Sequence, residues 1–325
     1  MPGTSRACHT LVNRIRGLLT QFQEKFTKLA RSLMLQYERT FYIMSKSLRF
    51  LLAGALAGTL STGQAQNIEL TPVWESDTTL RTPESVLFEP SQNALFVACI
   101  NGGPSLDNKG SFIAKVGLDG KVIKLKFAEG LNSTKGMGVL GNKLYVTEMT
   151  QVAEIDLASG KILNRYPIEG AKFLNDIAID NKKRMIYITD SGHGKVWSIT
   201  GGKVSLVLEG DPLKGTNGLL FENNQLLIGN GDGSLLSMDP ATKKLTTIAK
   251  VSGGIDGIVA LGNKSYIVTE WAGKIWHVKA DGTTELKSDS SPQKINTADV
   301  GYNPKSKVLF VPTFFHNTVK AYTVK

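Results

Sequence analysis

Phe173-Leu174-Asn175-Asp176-Ile177-Ala178-Ile179-Asp180, followed by Met185-Ile186-Tyr187-Ile188-Thr189-Asp190-Ser191-Gly192, decides the fold. It reads as a strand that begins on an Asn-Asp pair, a turn, and a second apolar strand that ends on polar residues. The same pattern returns about every forty residues from position 82 onward, and a period of that length is the mark of a repeat architecture.

Aligned on the second apolar run, the units are Ala94-Leu95-Phe96-Val97, Lys143-Leu144-Tyr145-Val146, Met185-Ile186-Tyr187-Ile188, Gln225-Leu226-Leu227-Ile228, Lys264-Ser265-Tyr266-Ile267 and Lys307-Val308-Leu309-Phe310. In the fourth unit strands are expected at 218–221, 225–229, 234–238 and 245–251, separated by Glu222-Asn223-Asn224, Asn230-Gly231-Asp232-Gly233 and Asp239-Pro240-Ala241-Thr242. Those separators are turn formers, so each such unit makes one four-stranded blade.

The two ends of the repeat complement each other. The last unit has three strands, around 300–302, 308–311 and 319–324, and a strand-like segment at 68–75 precedes the first unit. If that segment pairs as the outer strand of the last blade, the ring closes and no long sheet edge is left bare. The expectation is an all-β, six-bladed β-propeller closed by an N-terminal strand. A β-sandwich also uses many short strands, but it requires neither the period nor this matched deficit and surplus.

The composition is that of an ordinary soluble chain, 41% hydrophobic and 20% charged, with 33 glycines suited to many turns. Its formal charge of +10 is concentrated at one end: residues 1–65 hold nine basic residues and two acids, which leaves a net +3 on residues 66–325. No basic stripe with interleaved aromatics remains, so a nucleic-acid partner is not expected and a small molecule is.

Met44-Ser45-Lys46-Ser47-Leu48-Arg49, the apolar run 50–60 and the small residues Gly63-Gln64-Ala65 together read as a secretory signal over 44–65. The run is shorter than the roughly 20 residues of a membrane span, so a mature propeller over 66–325, periplasmic or secreted and without a span, is expected. Residues 1–43 carry Leu11, Ile15, Leu18, Leu19, Phe22 and Phe26 at helical spacing. They read either as an over-called extension upstream of a true start at Met44 or as an amphipathic helix ahead of a signal anchor. Cys8 and Cys99 are the only cysteines; no disulfide framework follows, and Cys99 is expected to be a buried thiol in a strand.

In a propeller the innermost strand of each blade starts near the axis. The residues at those starts are Glu84, Lys135, Asn175, Asn217, Asp256 and Ala298, followed by Ser85, Gly136, Asp176, Gly218, Gly257 and Asp299. Two carboxylates (Glu84, Asp256) and two carboxamides (Asn175, Asn217) converging there offer the oxygen donors that a hard cation such as calcium or magnesium takes; zinc and manganese match these ligand types less well. Any one of them could instead cap a tight turn. Four in one register, two of them acids that would repel without a cation between them, favour the cation.

Pro83-Glu84-Ser85, Asn175-Asp176, Asn217-Gly218 and Asp256-Gly257, in this order and each from a different blade, resemble the metal site of the senescence marker protein/gluconolactonase family and, more distantly, of the paraoxonase-like propellers. The resemblance spans residues 68–325. It implies one divalent cation at the channel mouth, most readily Ca2+, held by Glu84, Asn175, Asn217 and Asp256, and often lactone or phosphoester hydrolysis. Where sugar-lactone-binding members often carry an arginine two residues before the third-blade Asn, this chain has Phe173, and Lys135 adds a cation to the ring that could bind a substrate carboxylate or weaken metal binding.

For a hydrolytic site Asp256 is the first candidate base, and His193, in a glycine-flanked loop, is the second because it titrates nearest neutral pH. Glu148, Asp190, Asp232, Glu270 and His316 are further candidates on the loops after the second strands. Lys135, Phe173, Asp176, Trp271 and Phe314 are the expected substrate contacts, with Phe315 beside them. No Gly-x-Ser-x-Gly elbow or phosphate-binding loop competes. Two functions follow: a metal-dependent hydrolase of a lactone or related ester, or a non-catalytic binding propeller with a structural cation in its channel.

Overall fold

Alternation of buried and exposed side chains, short strands and frequent Asx turns build this chain into sheets. The computed structural model describes residues 67–103 and 109–325, together with residues 21, 23–36 and 38. The chain divides into two units, Met1–Gln64 and Ala65–Lys325. In the first, residues 23–36 are helical with exposed side chains, Phe26, Leu29 and Leu33 among them. The expected signal segment and most of the expected upstream helix positions lie outside the described residues. No helix among the described residues is long and apolar enough to cross a membrane.

The second unit is a six-bladed β-propeller. Blade 1 comprises Pro83–Glu89, Ala94–Cys99, Ser111–Val116 and Val122–Leu131; blade 2, Met137–Leu140, Lys143–Thr147, Gln151–Asp156 and Ile162–Pro167. Blade 3 comprises Leu174–Asp180, Met185–Asp190, Lys195–Thr200 and Lys203–Glu209; blade 4, Leu219–Glu222, Gln225–Gly229, Ser234–Met238 and Leu245–Lys250. Blade 5 comprises Ile255–Gly262, Ser265–Glu270, Lys274–Val278 and Thr284–Asp289. Blade 6 takes Gly301–Asn303, Val308–Pro312 and Val319–Val324 from the end of the chain and Leu70–Glu75 from its beginning. All four strands of each blade, called A to D from the axis outward, pair antiparallel.

The ring closes as the complementary ends require. Leu70 pairs with Val324 and Glu75 with Lys320, antiparallel, and Glu69 and Lys325 exchange both backbone hydrogen bonds at 3.1 Å. Pairing the first and last strands removes the sheet edge that each would otherwise present.

Burial falls from the middle of each blade outward. Strand B of blade 1, Ala94–Cys99, is buried throughout, whereas strand D of blade 3, Lys203–Glu209, has no buried residue. The apolar core is divided among the blade interfaces. Phe96, Ile113, Leu144 and Ala153 pack between blades 1 and 2, and equivalent clusters fill the other five interfaces. Strand-end acids fix the hairpins: Asp156, Asp239 and Asp281 each accept a backbone N–H two or three residues on. Cys99 is buried in strand B of blade 1, and burial pushes its thiol well up.

Candidate functional site

The site grows from a hydroxyl near the end of strand B. Thr189 Oγ1 accepts the N–H of Asp176 at 2.9 Å and donates to the carbonyl of Asn217 in the next blade at 2.8 Å. Thr269 repeats this with the N–H of Gly257 and the carbonyl of Ala298, both at 2.9 Å, and Thr147 donates to the carbonyl of Asn175. Each threonine therefore ties the start of its own inner strand to that of the following blade. Gly136 permits the close approach between blades 2 and 3: a Cβ there would lie 2.5 Å from the Cα of Asp176.

These ties draw the expected residues together. Glu84, Lys135, Asn175 and Asp256 are all buried at the ring, and Asn217 joins them through its amide, whose Nδ2 donates to Asp256 Oδ1 at 2.9 Å. Asn175 Nδ2 donates to Ser191 Oγ at 3.2 Å. Two buried oxygens, Glu84 Oε2 and Asn217 Oδ1, have no hydrogen-bond partner among the described residues. Buried acceptors left in this state are costly unless something else satisfies them.

A second tier lies one residue further along each strand. Asp176 accepts the N–H groups of Ile177 and Leu219, each at 2.6 Å, and Ser85 Oγ donates to Asp299 Oδ2 at 2.5 Å where blade 1 meets blade 6. Beyond this tier the channel holds a cavity of ≈ 290 Å³ walled by Val86, Ile177, Leu219, Ile258 and Val300.

Burial dominates the electrostatics. It raises the Glu84 carboxyl well above its ordinary range, with Asp256 adding to the rise and Lys135 opposing it. Burial and then the Asp299 charge push Asp256 up to about 8, and burial pushes Asp299 up to about 7. Asp176 rises for the same reasons, burial first and Asp299 next. Lys135 is lowered by burial, against the pull of Glu84 and Asp256. A divalent cation would relieve this repulsion and satisfy both orphaned oxygens, so the donor set fits one. Among the described residues no group of three or more His, Cys, Asp and Glu side chains is arranged to hold a metal. A cation here would therefore depend on the carboxamides as well as the acids.

The mouth is lined unevenly. The Lys135 ammonium sits 4.5 Å from the Phe173 ring centroid. On the blade 5 and 6 side Trp271, Phe314 and Phe315 pack edge to face, with centroids 4.7 to 6.0 Å apart. Phe314 is buried against Ile100 and the ring residue Ala298, whereas Trp271 is 43% exposed and Phe315 55%. Phe314 has φ 50, a left-handed backbone uncommon for a bulky residue, and the Asn317 side chain holds the turn by accepting the Thr82 N–H at 2.8 Å.

The remaining candidate bases have other partners. Glu148 accepts the N–H of Asn132 at 2.7 Å, Asp190 that of Phe173 at 2.9 Å and Glu270 that of Gly253 at 2.9 Å. Each of these acids anchors the crossover loop that enters its own blade. The repeated pairs Thr147-Glu148, Thr189-Asp190 and Thr269-Glu270 were the sequence signal for both devices. Asp232 lies on an exposed hairpin and pairs with Lys250, and His316 lies 3.6 Å from Glu75. His193 stands in the turn after strand B of blade 3, its Nδ1 3.1 Å from the Gly170 carbonyl and 3.6 Å from Asp190. Gly170 belongs to the crossover loop and Asp190 to the end of strand B, and neither is a ring residue.

Solved structures share this architecture. A gluconolactonase of Xanthomonas campestris superposes with a TM-score of 0.59 at 16% identity, over 82% of this chain and 94% of that one. The likeness is one of fold. A catalytically inactive virginiamycin B lyase of Staphylococcus aureus with quinupristin gives 0.58 at 14%, over 79% and 99%. A chain of a nidogen/laminin complex gives 0.52 at 11%, over 66% and 94%. No protein-family model matches the sequence, and no curated protein does.

Proposed function

We propose that this propeller is a divalent-metal-dependent hydrolase of a lactone or related ester, exported through the segment 44–65 to the periplasm or outside the cell. The observation that carries the reading is the pair of orphaned buried oxygens, Glu84 Oε2 and Asn217 Oδ1, in one ring with Asn175 and Asp256. Glu84, Asn175, Asn217 and Asp256 would hold the cation, calcium being the best match to an all-oxygen set. The gluconolactonase among the fold relatives adds support.

When bound, the cation supplies a Lewis acid for the substrate carbonyl. The Asn217 amide holds the Asp256 carboxylate in place, and Asp256 accepts the proton of the attacking water. Lys135 at the ring and Asp176 in the tier behind it are the polar groups that the substrate would meet. Phe173, Trp271 and Phe314 give the mouth its apolar side, which favours a hydrophobic or aromatic portion over a sugar. His193 is the second candidate for proton exchange, from a position farther out.

A binding propeller whose cation only pins the blades is the alternative, favoured by the exposed aromatic pair Trp271 and Phe315. Elemental analysis of the purified chain, with a lactone and aryl-ester panel run with and without chelator, separates the two. Chelator-sensitive hydrolysis supports the enzyme, and a chain that neither carries nor rebinds a divalent metal defeats both readings. An Asp256→Ala protein that loses thermal stability when there is no activity to lose favours the structural cation.

A further inference from the structure

The second tier is sparse in side chains. Gly136, Gly218 and Gly257 stand at three of its positions, so its polar chemistry is carried by Ser85, Asp176 and Asp299. Asp176 and Asp299 close the inner end of the ≈ 290 Å³ cavity, and they are the only charged side chains among the described residues that line it. The rest of that wall is almost wholly apolar. Val86, Ile177, Leu219 and Ile258 are buried along it, and Leu220, Ala260 and Tyr302, farther along their strands, are half-buried toward the face opposite the mouth. Asp176 uses both carboxylate oxygens on the N–H groups of Ile177 and Leu219. Asp299 is the more available of the two. Ser85 Oγ donates to its Oδ2, its side chain is half-buried, and a carboxylate accepts up to about four hydrogen bonds, so acceptor capacity remains where it borders the cavity.

We infer that the end of the channel opposite the mouth is a second ligand site, for a small organic ammonium with an apolar body, whose nitrogen donates to Asp299. The site rests on neither the proposed cation nor hydrolysis. An apolar cavity of about 150 Å³ takes up benzene, and this one is about twice as large, room for a phenyl ring and a two-carbon amine arm. An anion would be repelled by both acids, and a neutral ligand would leave them without a counter-charge. A bare metal ion takes six or more oxygens, and most of this wall is hydrocarbon. An arylalkylammonium matches both parts of the wall, its charge at the acid end and its apolar surface along the strands.

The test is calorimetry on the full chain, with phenethylamine, 2-phenylethanol and phenylacetate as probes of one shape and three charges. Phenethylamine is expected to bind at least about tenfold more tightly than the alcohol, a charge-assisted hydrogen bond being roughly twice as strong as a neutral one, and phenylacetate not at all. Asp299→Asn keeps an acceptor for Ser85 and is expected to erase the preference for the amine. Ala260→Phe and Leu220→Phe fill the far part of the cavity from two different blades, and each is expected to abolish binding of amine and alcohol alike. Melting curves show which of the two fillers is folded. Failure of the amine to bind, binding no tighter than that of the alcohol, or binding that survives a folded filler overturns the inference, the last by placing the amine at the mouth. Should neither filler fold, Asp299→Asn decides: an unchanged preference for the amine overturns the site, and a lost preference supports it.

Discussion

Asn217 and Asp256 meet across the boundary between blades 4 and 5, the amide Nδ2 donating to the carboxylate Oδ1 at 2.9 Å. The bond fixes one carboxylate oxygen and turns Asn217 Oδ1, which has no other partner among the described residues, toward a separate role. Asp256→Asn keeps an acceptor for the Asn217 amide but removes the proton acceptor and a negative charge. Hydrolysis is expected to fall by about 10² to 10⁴, the usual contribution of a general base. Thermal stability in chelator should not fall, because burial and the Asp299 charge disfavour the ionised Asp256 carboxylate in the fold. Steady-state rates and melting curves on the same preparation check both halves; retained activity with lost stability would sink this assignment.

Thr189 links Asp176 to Asn217 through one hydroxyl, and Thr269 links Gly257 to Ala298 in the same way. Thr189→Val preserves the shape and leaves a buried N–H and a buried C=O without their partner, a loss of about 1–3 kcal/mol. Thr189→Ser should recover most of it. The two threonines lie in different blade interfaces, so Thr189→Val and Thr269→Val are expected to add in urea unfolding. Strong coupling between them would show that the ring responds as one body.

The fold was legible because a propeller writes itself as a period. In blade 4 the expected strands 225–229 and 234–238 are those observed, 218–221 is shifted by one residue to Leu219–Glu222, and 245–251 ends one residue sooner, at Lys250. The ring residues were legible for the same reason: the start of strand A falls at one place in every unit, so Glu84, Asn175, Asn217 and Asp256 share a register. What stayed hidden depended on the path of the crossover loops. Glu148, Asp190 and Glu270 look like candidate bases by residue type and position. Which N–H each meets is set by a loop that arrives from the preceding blade, and no local pattern encodes that path. The contact of Lys135 with Phe173 was hidden likewise, although each residue could be singled out alone.

Trp271 is 43% exposed and packs nearly perpendicular to Phe314 and Phe315, with ring centroids 5.5 and 6.0 Å away. Trp271→Ala is expected to raise KM for an aryl ester about tenfold, or roughly 1.4 kcal/mol of lost ring contact, and to leave kcat unchanged. Stability should fall by less than about 1.5 kcal/mol, since the side chain is only half buried and each aromatic pair contributes modestly. A parallel rise in KM for a short aliphatic ester would remove Trp271 from the substrate contacts.

His277, in strand C of blade 5, lies away from the ring and gives the fold a pH dependence of its own. It is 1% exposed, its Nε2 is 2.7 Å from Ser265 Oγ, and its Nδ1 has no partner among the described residues. Burial, then the charges of Lys287 and Lys279, hold its pKa below the ordinary histidine value, with Glu285 opposing them. An unfolded histidine takes up a proton near pH 6.5, whereas the folded one resists. The unfolded state therefore binds more protons as the pH falls, and stability present above about pH 6.5 is lost below it. His277→Gln retains a polar partner for Ser265 and cannot titrate. Between pH 7 and pH 5 the melting temperature of the wild type is expected to fall more steeply than that of the variant. Parallel curves would mean that the acid sensitivity arises elsewhere, and a steeper fall in the variant would reverse the sign assigned to this residue.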